Sequence, residues 1–260
     1  MKLVSTWSSY KSNPMKISVS RLVVFFMIVC TPLMMRAKKT NYNSSINIVP
    51  VTAAKSDSTN FLFSISSLYE DMQLALKGIS REAFAYAIKG FDKLTEKGML
   101  NKDSILTIVD FTRSSKEKRL VVIDLKNREV ICNSVVAHGR NTGQEYAKSF
   151  SNQPRSNKSS LGFYITQETY IGAHGLSLKL DGFEKGINDK ARERAIVMHP
   201  AQYAQEITDA RKGYLGRSYG CPAIPPQIAN TIIQKIKNGN CLFLYYPDKK
   251  YLKNSALLNG

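Results

Sequence analysis

Two side chains in this sequence have the types and the setting for covalent chemistry: the thiol of Cys221 and the imidazole of His199. The cysteine closes the polar turn Gly216-Arg217-Ser218-Tyr219-Gly220 and is followed by Pro222. The histidine ends the apolar run Arg194-Ala195-Ile196-Val197-Met198, which reads as a short buried strand. An imidazole held beside a thiol is a base beside a nucleophile: it takes the proton, and the thiolate attacks a carbonyl. Gly220 lets the backbone approach a substrate closely or take φ > 0. Pro225 and Pro226 open a helix, where proline suits the first turn. The positive end of that helix is expected to ease ionisation of the thiol ahead of it.

The remaining thiols and imidazoles narrow the chemistry. Cys30, Cys132 and Cys241 form no CxxC pair with each other or with Cys221, so neither a zinc ribbon nor a thioredoxin-type motif is supported. Cys132 and Cys241 each fall inside an apolar strand-like run, as inert buried thiols or as a disulfide. His138 and His174 each precede a glycine and His199 a proline, all near strand ends. Three imidazoles can build an open zinc site, but the spacing contains no HxH or HExxH, and no metal is expected. His174, at a loop rim, reads as a substrate contact or a structural hydrogen-bonder; His138 reads as structural.

Stepping outward, β-branched runs at Ile105–Phe111, Arg119–Leu125 and Glu129–Val136 read as strands, with a hairpin turn at Lys126-Asn127-Arg128. Gly162–Thr166 and Tyr170–Gly172 read as two more, and Cys241–Tyr246 as the last. Helical spacing marks residues 65–77, then Arg81–Lys97 with Ser80 as its N-cap, Ala201–Lys212 closed by Gly213, and Pro226–Lys237 with Gly239 beyond its end. Gly139–Ser160 is a long polar loop, a length that usually marks function or mobility. The tail after Pro247 reads as basic and loose.

Composition sets the class. The 260 residues are 43% hydrophobic and 22% charged, ordinary for a globular protein, but carry a net charge of +17. So basic a surface suits nucleic acid, anionic lipid or an anionic polymer such as a cell wall. The absence of zinc-finger spacing, RNP-type aromatics and basic-region heptads argues against nucleic acid. Residues 1–37 pair a basic start with the apolar run Leu22–Cys30, as a secretory signal peptide or an N-terminal membrane anchor. Either implies an exported protein of the periplasm or cell envelope. Residues 38–60 form a polar linker. No feature sets an oligomeric state.

His199, a helix, and then Ser218-Tyr219-Gly220-Cys221 together resemble the signature of the cell-wall L,D-transpeptidases with a YkuD-like fold. The resemblance is closest to the murein L,D-transpeptidase catalytic domain branch. It extends to Val136-Ala137-His138-Gly139, Phe150-Ser151-Asn152, Ser159-Ser160-Leu161-Gly162, Gly175-Leu176-Ser177-Leu178, Asn188-Asp189 and Gly216-Arg217-Ser218. It implies an α+β fold, with a β-rich catalytic domain and mixed sheet at residues 103–247. A helical extension at 61–102 would pack on that domain, and a basic tail would follow at 248–260.

Carried over residue by residue, the resemblance implies Cys221 as nucleophile and His199 as its base, oriented by the carbonyl of Pro200, where relatives usually carry glycine or serine. Backbone N–H groups around Tyr219, Gly220 and Cys221 would stabilise the oxyanion. Ser218 would support the turn or pocket. Arg217 would hold a substrate carboxylate or make a fold-stabilising ion pair. The substrates implied are peptidoglycan stem peptides, with acyl transfer to an amine or to water and no cofactor. A wall-binding module that keeps the fold without turnover is the alternative. The order His before Cys excludes a papain-like peptidase, and the lack of any arginine after Cys221 argues against a sortase.

Overall fold

The structure, a computed structural model, describes residues 64–101, 105–205, 213–215 and 217–260. Among these, the β-branched runs become β1 (Ile105–Asp110), β2 (Leu120–Asp124) and β3 (Glu129–Ser134). Then follow β4 (Gly162–Gly172), β5 (Gly175–Gly182), β6 (Val197–Pro200), β7 (Ala223–Ile224) and β8 (Cys241–Tyr245). They lie in the order β3-β2-β1-β8-β4-β5-β6-β7. The pairs β1–β8 and β6–β7 are parallel and the other neighbours antiparallel, so the sheet is mixed, as expected of an α+β fold. Past β3 the chain reaches the far edge of the sheet. Ala137 exchanges both backbone hydrogen bonds with Ala223 of β7, at 2.8 and 3.3 Å, and so curls the sheet toward closure.

β1, β2 and β8 are buried along their whole length, and helix packing covers β1 and β8. Residues 64–71 form α1, and Arg81–Glu96 forms α2. The hydroxyl of Ser80 caps α2 by accepting from the Ala83 N–H and also donates to Asp110 at the end of β1, 2.7 Å away. Phe84, Ala87, Ile88, Phe91 and Leu94 share one face of α2 and enter the same core as the strands. Gly90 sits where a Cβ would meet the Phe163 ring at 2.0 Å, so the helix backbone rides directly on β4. α3 (Pro226–Ile236) buries Ala229, Ile232, Ile233 and Ile236.

Several local expectations are corrected. The helix expected over residues 65–77 ends at 71, and residues 72–78 are turns, with Gln73 at φ 51°. The strands expected at Gly162–Thr166 and Tyr170–Gly172 are one, β4, with a register shift between Thr166 and Thr169. β5 was not anticipated as a strand. The strand expected at Arg194–Met198 begins only at Val197, because residues 185–195 turn and Ala195 takes φ 51°. Of the helix expected at Ala201–Lys212, the described part holds one 3₁₀ turn, Gln202–Ala204, after which Gln205 is extended; residues 206–212 lie outside the described residues.

The tail is not loose. It folds into α4 (Lys249–Asn254) and α5 (Ala256–Asn259), burying Tyr251, Leu257 and Leu258. The hydroxyl of Ser255 donates to the buried carboxylate of Glu184, which ties the tail to the body. Cys132 and Cys241 are free thiols. They stand on β3 and β8 with β2 and β1 between them, and three inter-strand steps of about 4.8 Å each exceed disulfide reach. The signal or anchor expected at 1–37 and the linker expected at 38–60 lie outside the described residues. No helix among the described residues is long and apolar enough to cross a membrane.

Candidate active site

β6 and β7 lie parallel with His199 opposite Ala223, which brings the end of one strand beside the turn that enters the other. Val135, Ala137, Ala201, Ala204, Leu215 and Ala223 pack beneath this junction as a small second core. Above it opens a cleft of about 800 Å³, into whose wall both His199 and Cys221 are built.

The imidazole is fixed. His199 Nδ1 lies 2.9 Å from the Pro200 carbonyl, which can only accept, so Nδ1 carries the proton and Nε2 keeps its lone pair. Proline at this position therefore makes the contact that a carbonyl is needed for. The ring of His174 stacks on that of His199 with centroids 4.8 Å apart and an interplanar angle of 23°. Burial holds the His199 pKa below that of a free imidazole. The neighbouring His174 pushes it the same way, and the Pro200 carbonyl opposes them. The ring is neutral at neutral pH.

The thiol is half-buried. Cys221 Sγ accepts from the Val197 N–H at 3.5 Å and donates to the Ala195 carbonyl at 3.7 Å, rather than to the imidazole. Its pKa is not eased downward as expected. Burial pushes the thiol up, against the Val197 N–H, the positive charge of Arg194 and the cysteine's own amide. The helix whose positive end was expected to help begins only after β7. Cys221 and His199 are thus a neutral thiol and a neutral base, and the proton must move as attack begins.

Ser218 knots the turn. Its hydroxyl donates to the Cys221 carbonyl at 2.6 Å and accepts from the Gly220 N–H at 3.1 Å. The Gly220 amide is therefore engaged inside the turn, against the expectation of a free oxyanion donor. The Tyr219 amide makes no hydrogen bond among the described residues. Ser218 also pairs with the chain after β3: its N–H donates to His138 and its carbonyl accepts from Arg140. Ser159 adds a clamp, taking the Gly139 N–H and donating to the Gly220 carbonyl. The long polar loop is thus laced to the nucleophile's turn.

Arg217 makes no ion pair among the described residues. Its Nη1 donates to the carbonyls of Arg140 at 2.8 Å and Gly143 at 3.0 Å, and its guanidinium lies over the Tyr214 ring. His138 is structural. Arg119 donates to its Nδ1 at 2.8 Å, and its Nε2 faces the Gly143 carbonyl. Burial and the Arg119 charge hold it down at about 4. Engaged with Arg119, it does not join His174 and His199. No group of three or more potential metal ligands occurs among the described residues.

The cleft contains residues that the sequence did not single out: Arg140, Tyr170, Arg194, Tyr203 and Tyr214. Arg140 lies over the Tyr219 ring, its charge 5.7 Å from the centroid. No Asp or Glu is among the described residues lining the cleft, so it favours an anionic ligand with faces to stack on. Tyr170 lies on β4, Ala173 and His174 in its turn to β5, and Ser177 on β5, so this hairpin forms one wall. The pairing of Asn188-Asp189 with its surroundings is structural. The Asn188 amide donates to the carbonyls of Leu161 and Phe163, and Asp189 accepts from Asn152.

The L,D-transpeptidase catalytic domain of YkuD type matches residues 75–245. No curated protein matches the chain. Among solved structures, an L,D-transpeptidase from Mycobacterium smegmatis is 12% identical, with a TM-score of 0.34, over 55% of this chain and 59% of its own. An Enterococcus faecium L,D-transpeptidase is 10% identical, with a TM-score of 0.34, over 55% of this chain and 50% of its own. The helical cell shape determining protein Pgp2 from Campylobacter jejuni is 12% identical, with a TM-score of 0.39, over 70% of this chain and 63% of its own. The match spans less than two thirds of each of these chains. With the catalytic-domain match covering more than half of its length, the chain belongs to the L,D-transpeptidase catalytic domain family.

Proposed function

We propose that this family member is a cysteine acyltransferase of peptidoglycan stem peptides. The observation that carries the reading is one cleft, with no acidic side chain among its described lining residues, walled by both a half-buried thiol and an imidazole whose Nδ1 is tied to a carbonyl. In the reaction, the Cys221 thiol rotates away from the Ala195 carbonyl and gives its proton to His199 Nε2. Such a swing about χ1 joins two staggered wells. The sulfur attacks the carbonyl of the L-centre of the third residue in a stem tetrapeptide. The Tyr219 amide, with that of Cys221, meets the oxygen as it becomes charged. The intermediate collapses, His199 returns the proton to the departing amine, and D-alanine leaves. The thioester then passes to the amine of a second stem, giving a 3→3 cross-link, or to water.

Arg217, Ser218 and His174 shape the substrate side of the cleft. Arg217 keeps guanidinium nitrogens beyond Nη1 for a carboxylate. The reaction uses no metal or organic cofactor. A protein acting on stem peptides is exported to the periplasm or envelope, and residues 1–37 would serve as signal peptide or membrane anchor. Incubating muropeptides with wild-type, Cys221→Ala and His199→Ala proteins tests the reading: only the wild type forms cross-linked or trimmed product. Product from either variant would remove that residue from the mechanism.

The resting contact of the thiol with Ala195 rather than with the imidazole favours one second reading, a wall-binding module without turnover. A carbapenem that acylates Cys221 supports the enzyme. Wall binding by Cys221→Ala without any change in wall chemistry supports the module.

A further inference from the structure

Arg194 lines the cleft, half-buried, and the reaction outlined above gives it no task. Its guanidinium is held by one segment of chain. Nη1 donates to the Ser151 carbonyl at 2.8 Å and to the Ser160 hydroxyl, and Nη2 to the Lys158 carbonyl and to the Ser156 hydroxyl at 3.3 Å. None of these acceptors is a carboxylate, and no ion pair among the described residues cancels the positive charge.

The same guanidinium lies against the nucleophile's turn. A Cβ on Gly220 would stand 2.8 Å from the Lys158 oxygen and 3.3 Å from Arg194 Nη2. The residues that follow Arg194 reach the sulfur itself, through the Ala195 carbonyl and the Val197 N–H. The other titratable groups facing the sulfur are the phenols of Tyr164 and Tyr203, both of which burial keeps protonated. His199 with His174, and Arg140 and Arg217, complete the cleft wall.

We propose that Arg194 is the positioning residue of the nucleophile: its fork ties the 151–160 segment beneath Gly220, and its positive charge favours the thiolate of Cys221. The proposal rests on the acyl-transfer reading for its consequence in turnover. Its two parts separate by substitution. Lysine keeps a charge but not the planar fork, and methionine keeps neither.

The test is the pH dependence of Cys221 alkylation by iodoacetamide, located by peptide mapping, alongside kcat and KM with a tetrapeptide donor. Wild-type, Arg194→Lys and Arg194→Met proteins are compared after thermal melts confirm folding, with Arg194→Gln replacing the methionine variant should it not fold. Loss of the charge raises the alkylation midpoint by about one pH unit or more. The lysine variant stays within about half a unit of wild type, while its kcat falls by at least about tenfold with KM little changed. A charge-free variant with the wild-type midpoint overturns the electrostatic part, and a lysine variant with wild-type kcat overturns the anchoring part. A wild type that forms no product sinks the transfer reading and leaves the alkylation result to decide on Arg194.

Discussion

Replacing Gly220 with alanine tests the geometry of the nucleophile's turn. The residue has φ 130°, outside the range that side chains tolerate, and forcing a non-glycine residue there costs about 1–3 kcal/mol. The added methyl would also meet the Lys158 carbonyl at 2.8 Å, the Ile196 Cδ1 at 3.0 Å and the Arg194 guanidinium at 3.3 Å. Two of the three are held in place, one by the backbone and one by four hydrogen bonds, so overpacking adds about 1–3 kcal/mol. The total is about 2–4 kcal/mol if the turn relaxes in part. At about 2–4 °C per kcal/mol for a domain of this size, the melting temperature falls by about 5–15 °C. Relaxation must move the Ser218–Cys221 knot, and a displacement of about 1 Å at the sulfur costs about a hundredfold in rate. Calorimetry and donor turnover read the two effects. A Gly220→Ala protein that melts like the wild type and turns over at full rate would refute the reasoning.

Burial and His174 lower the His199 pKa, so the neutral base is present from below pH 6.5 upward, and kcat/KM is expected to rise through a midpoint under that value. His174→Ala removes one neighbour and exposes the ring, moving that midpoint toward 6.5; an unmoved acid limb contradicts the assignment. His138 is held down at about 4, so between about pH 4 and 6.5 the unfolded chain binds a proton that the folded chain does not. Stability is therefore full above the unfolded pKa and falls by up to about 3 kcal/mol as the pH drops to 4, a slope that denaturant titrations should find reduced in His138→Gln. Cys132→Ser, half-buried on β3, costs about 1–3 kcal/mol and leaves turnover intact; loss of activity in a folded Cys132→Ser protein would contradict the free, non-catalytic thiol.

What the sequence made legible was local. Helix α2 announced itself through the Ser80 cap and the spacing of Phe84, Ile88, Phe91 and Leu94, and β1 and β2 through runs of branched residues. The alternation of Leu176, Leu178 and Leu180 along β5 was present to be read as a strand. Cys221 and His199 stood out by residue type, and Pro200 entered through the family resemblance. Other features depend on distant contacts. Arg140 and Arg194 enter the cleft only because the 139–160 segment is folded against Ser218 and Gly220, which no periodicity encodes. The rise in the thiol pKa follows from burial, a tertiary effect that the Val197 N–H opposes. The start of the helix expected at Ala201–Lys212 is a 3₁₀ turn because Gln205 is extended just after Ala204.

The claim at the centre is that one sulfur carries the acyl group. Mixing the protein with a defined stem tetrapeptide, quenching in acid and mapping peptides by mass spectrometry tests it directly. The expected result is a tripeptidyl thioester on Cys221, absent from Cys221→Ala and lost on treatment with hydroxylamine. Turnover of the donor with no adduct at Cys221, or the same product from Cys221→Ala, would contradict the account.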